Sequence, residues 1–257
     1  MVNLFDSHTH LDDEMFDGDR EQVIENIKNS GVKLLTNIAS SIKTSYQSVG
    51  LAEKYNFIYA TVGVHPSDVY EMTDNDLEKI EKLSKHEKVV AIGEIGLDYH
   101  YDGYDEQLQK YWFLKQLQLA EKLGMPVVVH SRDAVKDTMD ILKTVNTKGI
   151  IHCYSGSLET AKEYIEMGYY ISFAGTITYK NAKTAVKVAS EIPLDRLLIE
   201  TDSPYLSPDG FRGTRNDSSR VRYVCEKIAQ LRGLTPQQLA NITYENAKRV
   251  YRIDNQL

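Results

Sequence analysis

Several features that define common protein classes are scarce or missing in this sequence. It has two cysteines among its 257 residues, Cys153 and Cys225, so a disulfide framework is not expected. No apolar run approaches membrane-spanning length, and the N-terminus lacks a basic segment followed by an apolar core. These absences predict a cytoplasmic protein without a membrane partner.

Positive charge is also scarce. Against 30 Lys and Arg stand 37 Asp and Glu, which gives a net charge of −7. Non-specific coating of nucleic acid depends on many Lys and Arg contacts to phosphates, so this balance argues against it. The net charge does not exclude an enzyme that binds one end of a nucleic-acid strand in a local pocket. With 42% hydrophobic residues and no low-complexity run, we expect a single domain over residues 1–257.

Short apolar runs recur along the chain with helix-period segments between them. The eight runs end near Asp6, Thr36, Gly63, Gly93, Val129, His152, Phe173 and Glu200, at steps of 21 to 36 residues. Strands that alternate with helices predict a parallel sheet, and eight such units in about 250 residues predict a closed (β/α)8 TIM barrel. An open doubly wound sheet is the weaker alternative, because no G-x-G-x-x-G or G-x-x-x-x-G-K-[ST] motif follows any strand.

Helix boundaries can be predicted at several places. Thr73 precedes an apolar-periodic segment as a capping residue, and Thr235 followed by Pro marks the start of a terminal helix. A longer helix is predicted over residues 106–123, stopped by Gly124. In the second helix we expect Tyr46 to share the apolar face with Val49, Ala52 and Tyr55.

Residues that can bind a metal sit at the ends of the apolar runs. His8 and His10 follow the first run, and alternation along a strand points both rings to one side. Alone, this pair is more simply explained as two ordinary polar residues at the end of a strand. The runs that follow end in four further candidates, Glu94, His130, His152 and Asp202. In a barrel the carboxyl ends of all strands ring one mouth, so these six side chains are expected to converge.

This ligand set predicts hydrolytic chemistry. We expect His8, His10 and Asp202 to share one divalent ion, with Glu94 bridging to a second ion held by His130 and His152. Two such ions activate a water and stabilise the entering and leaving oxygens of a phosphodiester. Asp202 and Glu94 are the predicted catalytic residues, with Asp202 as general base. Mixed imidazole and carboxylate ligands admit Mg, Mn, Zn, Ni or Co.

Five segments together resemble the TatD family of metal-dependent deoxyribonucleases. They are D-S-H-T-H at 6–10, G-V-H-P at 63–66, G-E-I-G-L-D-Y at 93–99, H-C-Y-S-G at 152–156 and E-T-D-S-P-Y-L at 200–206. The resemblance implies a barrel of the amidohydrolase type and a cytosolic location. It also implies a divalent-metal-dependent DNase or 3′–5′ exonuclease, with the same six residues as metal ligands.

Contacts to the substrate are predicted from residues near the strand ends. The family's loop R-G-x-x-N-E-P reads here Arg212 to Ser218, with Ser in place of Pro. In that loop Arg212 and Arg215 are predicted to grip the phosphates of a DNA strand end. His65 is assigned to phosphate contact or to support of the metal ligands. Tyr99 and Tyr154, with the third strand-end tyrosine Tyr205, are candidates for base stacking. A monomer is expected.

Two other function classes remain open at this stage. The same mouth can hydrolyse a lactone, an amide or a small phosphoester, because fold and metals do not fix the substrate. A hydrolase of that kind has no need for Arg212 and Arg215. Many relatives of that kind bridge their metals through a modified strand-four lysine, where this chain has Glu94. The last alternative is a metal-binding or partner-binding protein without catalysis.

Overall fold

A computed structural model describes residues 3–253, which build one eight-stranded parallel sheet. Its strands pair in chain order from the first to the eighth, as expected for a barrel. The strands are β1 Leu4–Thr9, β2 Val32–Asn37, β3 Ile58–Val62, β4 Val89–Asp98, β5 Val127–Arg132, β6 Gly149–Ile151, β7 Tyr170–Phe173 and β8 Leu197–Ile199. The eight predicted strands are therefore confirmed.

The first and last strands approach each other and bring the ends of the sheet together. The Ser7 hydroxyl donates to the Ile199 carbonyl at 3.0 Å, and Thr9 forms a parallel bridge with Ser203. Beyond β8, the Asp202 amide donates to the His8 carbonyl at 2.9 Å. The sheet is thus a nearly closed (β/α)8 barrel, and its closure places the first predicted ligands beside the last.

Helices follow the strands and cover the outside of the barrel. They are α1 Arg20–Asn29, α2 Ile42–Lys54, α3 Asp74–Leu83, α4 Glu106–Leu123, α5 Val135–Leu142, α6 Leu158–Glu166, α7 Lys183–Glu191, α8 Val221–Arg232 and α9 Pro236–Val250. The predicted caps are confirmed: Thr73 and Thr235 form capping boxes, and Gly124 ends α4 in a left-handed conformation. None of the helices within residues 3–253 combines the length and apolar character needed to cross a bilayer.

The apolar face predicted for α2 is wrong at one position. Tyr46 is 51% exposed, whereas Ser45 and Ser48 are buried with Val49. The two serines can be buried because their hydroxyls donate to backbone carbonyls; that of Ser48 reaches the Asn37 carbonyl of β2 at 2.8 Å. Small hydrogen-bonded side chains let this helix lie close to the sheet, so its buried face is rotated away from the tyrosine.

The floor of the barrel is apolar and the opposite end is polar. Seven strands each contribute one of their first three residues to a buried cluster, namely Phe5, Leu34, Val90, Val128, Ile150, Tyr170 and Leu198. Tyr251, just after α9, completes this cluster, and its hydroxyl donates to the Ser7 carbonyl at 2.7 Å. The core at this end fixes the strand positions, which leaves the carboxyl ends free to carry functional side chains.

One glycine allows the close approach of β4 and β5. Gly96 has φ of +150°, and a Cβ there would lie 2.0 Å from the His130 carbonyl oxygen. We predict that Gly96→Ala lowers the free energy of unfolding by about 3 kcal/mol, from backbone strain and steric displacement together. Gly50→Ala is the matched control, since a Cβ in that part of α2 meets nothing within 4 Å. It should stabilise the protein by about 0.5–1 kcal/mol.

Thermal and denaturant unfolding of both variants measures this difference. A Gly96→Ala protein as stable as the wild type would contradict the packing described for β4 and β5.

Candidate metal centre

The first two histidines face each other at the end of β1. His8 lies within the strand and is 1% exposed, and its Nε2 is 3.1 Å from Nε2 of His10. Nδ1 of His10 is 2.8 Å from the Ile38 carbonyl oxygen, which can only accept a hydrogen bond. Nδ1 therefore carries the hydrogen, and in the neutral ring the Nε2 lone pair points at the centre of the mouth.

Glu94 stands between two groups of imidazoles. Its Oε2 lies 3.4 Å from Nε2 of His8 and 3.7 Å from Nε2 of His10. Its Oε1 lies 2.7 Å from Nε2 of His152 and 2.9 Å from Nδ1 of His130. Each carboxylate oxygen thus faces a separate group of nitrogen atoms. The β4–β5 ladder is irregular between Ile92 and Ile95, the stretch that carries Glu94.

Strand β4 is longer than the sequence predicted, and the extension positions a further acid. The apolar run was expected to end at Gly93, but the strand continues to Asp98. Glu94 and Asp98 are four residues apart on this strand, a spacing that favours both side chains on the same face. This spacing was the sequence signal that could have identified Asp98. Oδ2 of Asp98 is 3.1 Å from Nε2 of His130, and its Oδ1 accepts from the His100 amide at 2.9 Å.

A second acid missed by the sequence prediction lies behind His152. Glu200 is fully buried, and its two oxygens accept from the Cys153 amide at 2.7 Å and the Ser172 hydroxyl at 2.5 Å. Its Oε1 is 3.5 Å from Nδ1 of His152. Asp98 hydrogen-bonds Nε2 of His130 and so orients that ring with Nδ1 towards Glu94. Glu200 lies behind His152 as a buried negative charge, without a hydrogen bond to Nδ1. An outer partner such as Asp98 fixes the tautomer of a metal-binding histidine.

Asp202 completes the mouth from the end of β8. Its Oδ1 is 3.3 Å from Nε2 of His10 and 3.5 Å from Nε2 of His8. The backbone of Asp202 is in the left-handed region with φ of +54°, which is costly for a residue other than glycine. The hydrogen bond from its amide to the His8 carbonyl holds it there. The fold therefore maintains a strained residue beside the two histidines.

The donor atoms have the spacing that a bound cation requires. A metal with bonds of about 2.1 Å keeps neighbouring ligand atoms roughly 3.0–3.4 Å apart. Two sets of three residues each bring their donor atoms within 4.8 Å of one another. One set is His8, His10 and Glu94, and the other is Glu94, His130 and His152. Both share Glu94, and Asp202 adjoins the first. Lone pairs of imidazole and carboxylate that face one another repel unless a proton or a cation lies between them, so this donor set fits metal ions.

The charges of the metal-free cluster lead to the same conclusion. Burial acts to lower the pKa of His10, but contacts with Asp202 and Glu94 outweigh it and raise the pKa to about 9. His152 likewise has its pKa raised well above the usual value, against burial, by Glu94 and Glu200. Burial alone would raise the pKa of Glu94, yet the surrounding imidazoles hold it well below its usual range. The cluster thus favours positive charge at its centre.

The predicted ligands open into a cavity of about 540 Å³. His10, Glu94, His130, His152 and Asp202 line it, together with His65 and Tyr205. Its rim is acidic, and a single lysine is found among its lining residues within the described part of the chain. These charged rim residues are Asp12, Asp13, Glu14, Asp17, Asp68 and Lys43. Lys43 is an exposed residue in the first turn of α2. It was not among the predicted substrate contacts, because no sequence motif surrounds it.

The two loop arginines do not line this cavity. Arg215 makes two hydrogen bonds to the Asp19 carboxylate, at 2.8 and 2.6 Å, and a third to the Met15 carbonyl. Arg212 lies over the Tyr179 ring, 4.5 Å from its centroid. Both guanidinium groups therefore contact other parts of the protein in this structure, and their binding of phosphate stays a prediction.

Two of the three predicted stacking tyrosines also lie outside the cavity. Tyr154 is 6% exposed, and its hydroxyl donates to the Ser157 carbonyl at 2.6 Å, so a base has no access to its ring. Tyr99 stacks on Tyr104 and donates its hydroxyl to Asp137 at 3.1 Å. Tyr205 does line the cavity; it is 50% exposed and its hydroxyl donates to Asp13 at 2.7 Å.

A (β/α)8 barrel with imidazoles and carboxylates gathered at the carboxyl ends of its strands defines the class of metal-dependent TIM-barrel hydrolases. The comparisons with known proteins narrow this class. The TatD related DNase family matches residues 5–252, so this chain belongs to the TatD family of metal-dependent hydrolases.

Similar proteins span the whole chain. An uncharacterized metal-dependent hydrolase of Bacillus subtilis, YabD, is 48% identical over 254 residues, covering 98% of this chain and all of the relative. YcfH of Escherichia coli K12, also an uncharacterized metal-dependent hydrolase, is 37% identical over 98% of this chain and 96% of its own. The crystal structure of YJJV, a TatD homolog from the same species, has a TM-score of 0.92 at 31% identity and covers 98% of both chains.

Asp98 is predicted to control metal affinity through His130. We expect Asp98→Asn to weaken binding of one ion about 10- to 100-fold, because an amide no longer fixes the hydrogen on Nε2 of His130. Competition with a chelating dye measures the affinity, and the melting temperature of the metal-free protein checks the fold. Asp140→Asn is the control, since Asp140 is itself exposed and pairs with the exposed Lys136. Unchanged affinity in Asp98→Asn would show that this carboxylate does not orient the ring.

Proposed function

We propose that this protein is a metal-dependent deoxyribonuclease that removes nucleotides from the 3′ end of single-stranded DNA. The observation that carries the proposal is the position of Glu94, whose two oxygens face two separate groups of donor atoms. Such a bridging carboxylate is typical of a site for two cations. The family profile described as TatD related DNase supports DNA as the substrate, and the 3′–5′ polarity follows from the family resemblance.

In this proposal the six strand-end residues divide between two ions. His8, His10 and Asp202 would hold the first, His130 and His152 would hold the second, and Glu94 is placed to serve both. When bound, the ions supply a hydroxide-like nucleophile and stabilise charge on the phosphate oxygens.

Asp202 is the proposed general base. Burial acts to raise its pKa, but the hydrogen bond with His10 and the charge of nearby imidazoles hold the pKa below its usual range. The carboxylate is therefore ionised at neutral pH and can accept a proton. Asp202 lines the cavity with 15% of its side chain exposed, so water can reach it there.

His65 and Lys43 are the proposed phosphate contacts. Nδ1 of His65 accepts a hydrogen bond from the Ser67 amide at 3.1 Å, so the neutral ring carries its hydrogen on Nε2. That atom is 3.7 Å from Oε1 of Glu94 and faces the cavity, where it can donate to a phosphate oxygen. Burial lowers the pKa of His65 to about 3, so it acts as a neutral donor. Lys43 supplies a positive charge on the rim.

The shape of the cavity favours a strand end over continuous duplex. A cavity of about 540 Å³ has the size of a small-molecule site and can hold a terminal nucleotide. Exposed acidic rim residues such as Glu14, Asp17 and Asp68 disfavour a long track of phosphates. The predicted cytoplasmic location, monomeric state and single domain over residues 1–257 stay predictions, as does the identity of the metals.

The same acidic rim gives specific support to one alternative. A lactone, amide or small phosphoester carries less negative charge than DNA and meets less repulsion there. Under this alternative Lys43 has no phosphate of a nucleic acid to bind. A metal-binding protein without catalysis is disfavoured by the family of metal-dependent hydrolases to which the chain belongs.

Release of nucleotides from a 3′-labelled single-stranded oligomer tests the proposal. With Mg or Mn added, we expect stepwise loss from the 3′ end that stops on chelation. Glu94→Gln should lower the rate at least 100-fold, because the amide cannot bridge two cations. The absence of release under every metal, with hydrolysis of a lactone or small phosphoester instead, would replace the nuclease by the alternative.

Lys43→Gln should raise KM for the oligomer several-fold with little change in kcat. The lysine charge would contact the bound strand equally in the ground state and in the transition state. The effect should shrink as salt concentration rises. Lys33→Gln is the control, because Lys33 is an exposed lysine on β2 that does not line the cavity. Equal KM values for the two variants would remove Lys43 from the substrate site.

A further inference from the structure

A second hollow adjoins the mouth cavity beside the extended end of β4. It has a volume of about 320 Å³, and Ser67 lines both spaces. Asp98 also lines the hollow while its carboxylate contacts His130 of the metal centre. A ligand that enters the mouth can therefore extend into this hollow without leaving the protein surface.

Tyr104 provides a rigid aromatic surface in the hollow. Its ring stacks on Tyr99 at a centroid distance of 4.8 Å and an interplanar angle of 10°, and Tyr99 is held by its hydrogen bond to Asp137. The Tyr104 side chain is nevertheless 38% exposed. A ring that is packed on one side and accessible on the rest is a suitable platform for a planar ligand, because little conformational entropy is lost on stacking.

Two further tyrosines surround this platform. Tyr70 is 53% exposed, and its hydroxyl donates to the Gly103 carbonyl and accepts from the Asp105 amide, both at 2.9 Å. It thus holds the loop that carries Tyr101 and Tyr104. Tyr101 is 63% exposed, although burying an aromatic ring of this size would be favourable. Three accessible tyrosines gathered in one hollow indicate a site for a flat, largely apolar group.

The charges that line the hollow disfavour phosphate as its occupant, although the Arg132 guanidinium lies over the Tyr101 ring, 5.1 Å from its centroid. Asp98 and Asp102 line it, and its lining within residues 3–253 includes no Lys or Arg. A phosphate would be repelled by these carboxylates. A neutral ring that bears amino groups can instead stack on Tyr104 and donate hydrogen bonds to Asp102. Nucleobases combine a planar face with such donors, and their stacking on aromatic side chains is tolerant of sequence.

We propose that this hollow, lined by Tyr70, Tyr101, Tyr104 and Asp102, binds the nucleobase of the nucleotide that precedes the terminal one. This inference rests on the proposed nuclease function and extends it. The terminal nucleotide occupies the mouth cavity, and the chain continues past Ser67 so that the next base stacks on Tyr104. The subsite requires a single strand, since both faces of a paired base inside a duplex are covered by its stacked neighbours.

Oligomers with and without the penultimate base test this subsite. Each carries a 5′ fluorescent label and a phosphorothioate at the terminal linkage to slow hydrolysis, and binding to the metal-loaded protein is followed by anisotropy. For the wild type we expect the abasic oligomer to bind about tenfold more weakly, as loss of one base–aromatic stack implies. Tyr104→Leu should reduce this ratio towards one, whereas Tyr104→Phe should retain it.

Tyr46→Leu is the matched control, because Tyr46 is an exposed tyrosine, at 51% against 38% for Tyr104, that lines neither space. It should keep the full ratio between the two oligomers. Tyr101→Ala provides a second variant if Tyr104→Leu does not fold, and it too should lower the ratio. Melting temperatures verify the fold of each variant.

The outcomes separate this inference from the proposed function. Equal binding of both oligomers by the wild type, or an unchanged ratio in folded Tyr104→Leu and Tyr101→Ala, would overturn the subsite. Release of nucleotides from an unmodified oligomer in the same preparation would then leave the nuclease assignment standing. Failure of release together with failure to bind either oligomer would overturn both.

Discussion

The structure depends on one buried carboxylate, Glu94, which has more imidazole neighbours than one carboxylate charge can pair. Glu94 is 3% exposed, and Nε2 or Nδ1 atoms of five histidines lie within 3.7 Å of its oxygens. A buried charge is stable only when it is paired. Without a cation the cluster can gain positive charge only by protonation, which explains why the pKa values of His10, His130 and His152 are raised. Bound divalent ions would provide the same positive charge and would also activate a water for hydrolysis.

The rest of the fold maintains that arrangement. Closure between β1 and β8 brings His8 and His10 to Asp202, and the hydrogen bond between the Asp202 amide and the His8 carbonyl retains the strained backbone of Asp202. Behind the mouth, Asp98 orients the His130 ring through its outer nitrogen, and Glu200 places a buried carboxylate beside His152. These contacts join residues from strands on different sides of the barrel, so the site forms only when the whole sheet closes.

Much of this could be predicted from sequence because it depends on periodicity and local signals. Apolar runs predicted all eight strands, and the carboxyl ends of barrel strands surround one mouth, where alternate side chains can converge. The direction of long side chains on loops has no such signal: Arg215 pairs with Asp19, nearly two hundred residues away in sequence, while Lys43 at the start of α2 lines the cavity. Tyr46 was misplaced because hydrogen-bonded serines substitute for apolar residues on the buried face of α2.

Anomalous diffraction from crystals grown with Mn²⁺ tests the central claim most directly. Four donor groups are available in residues 3–253, but Glu200 and Asp98 already accept hydrogen bonds from backbone amides, which leaves the two groups that share Glu94. The account predicts two peaks, one between His8, His10 and Asp202 and one between His130 and His152, with Glu94 in contact with both. A single peak, or a peak held by His65, Asp98 and His130, would contradict it.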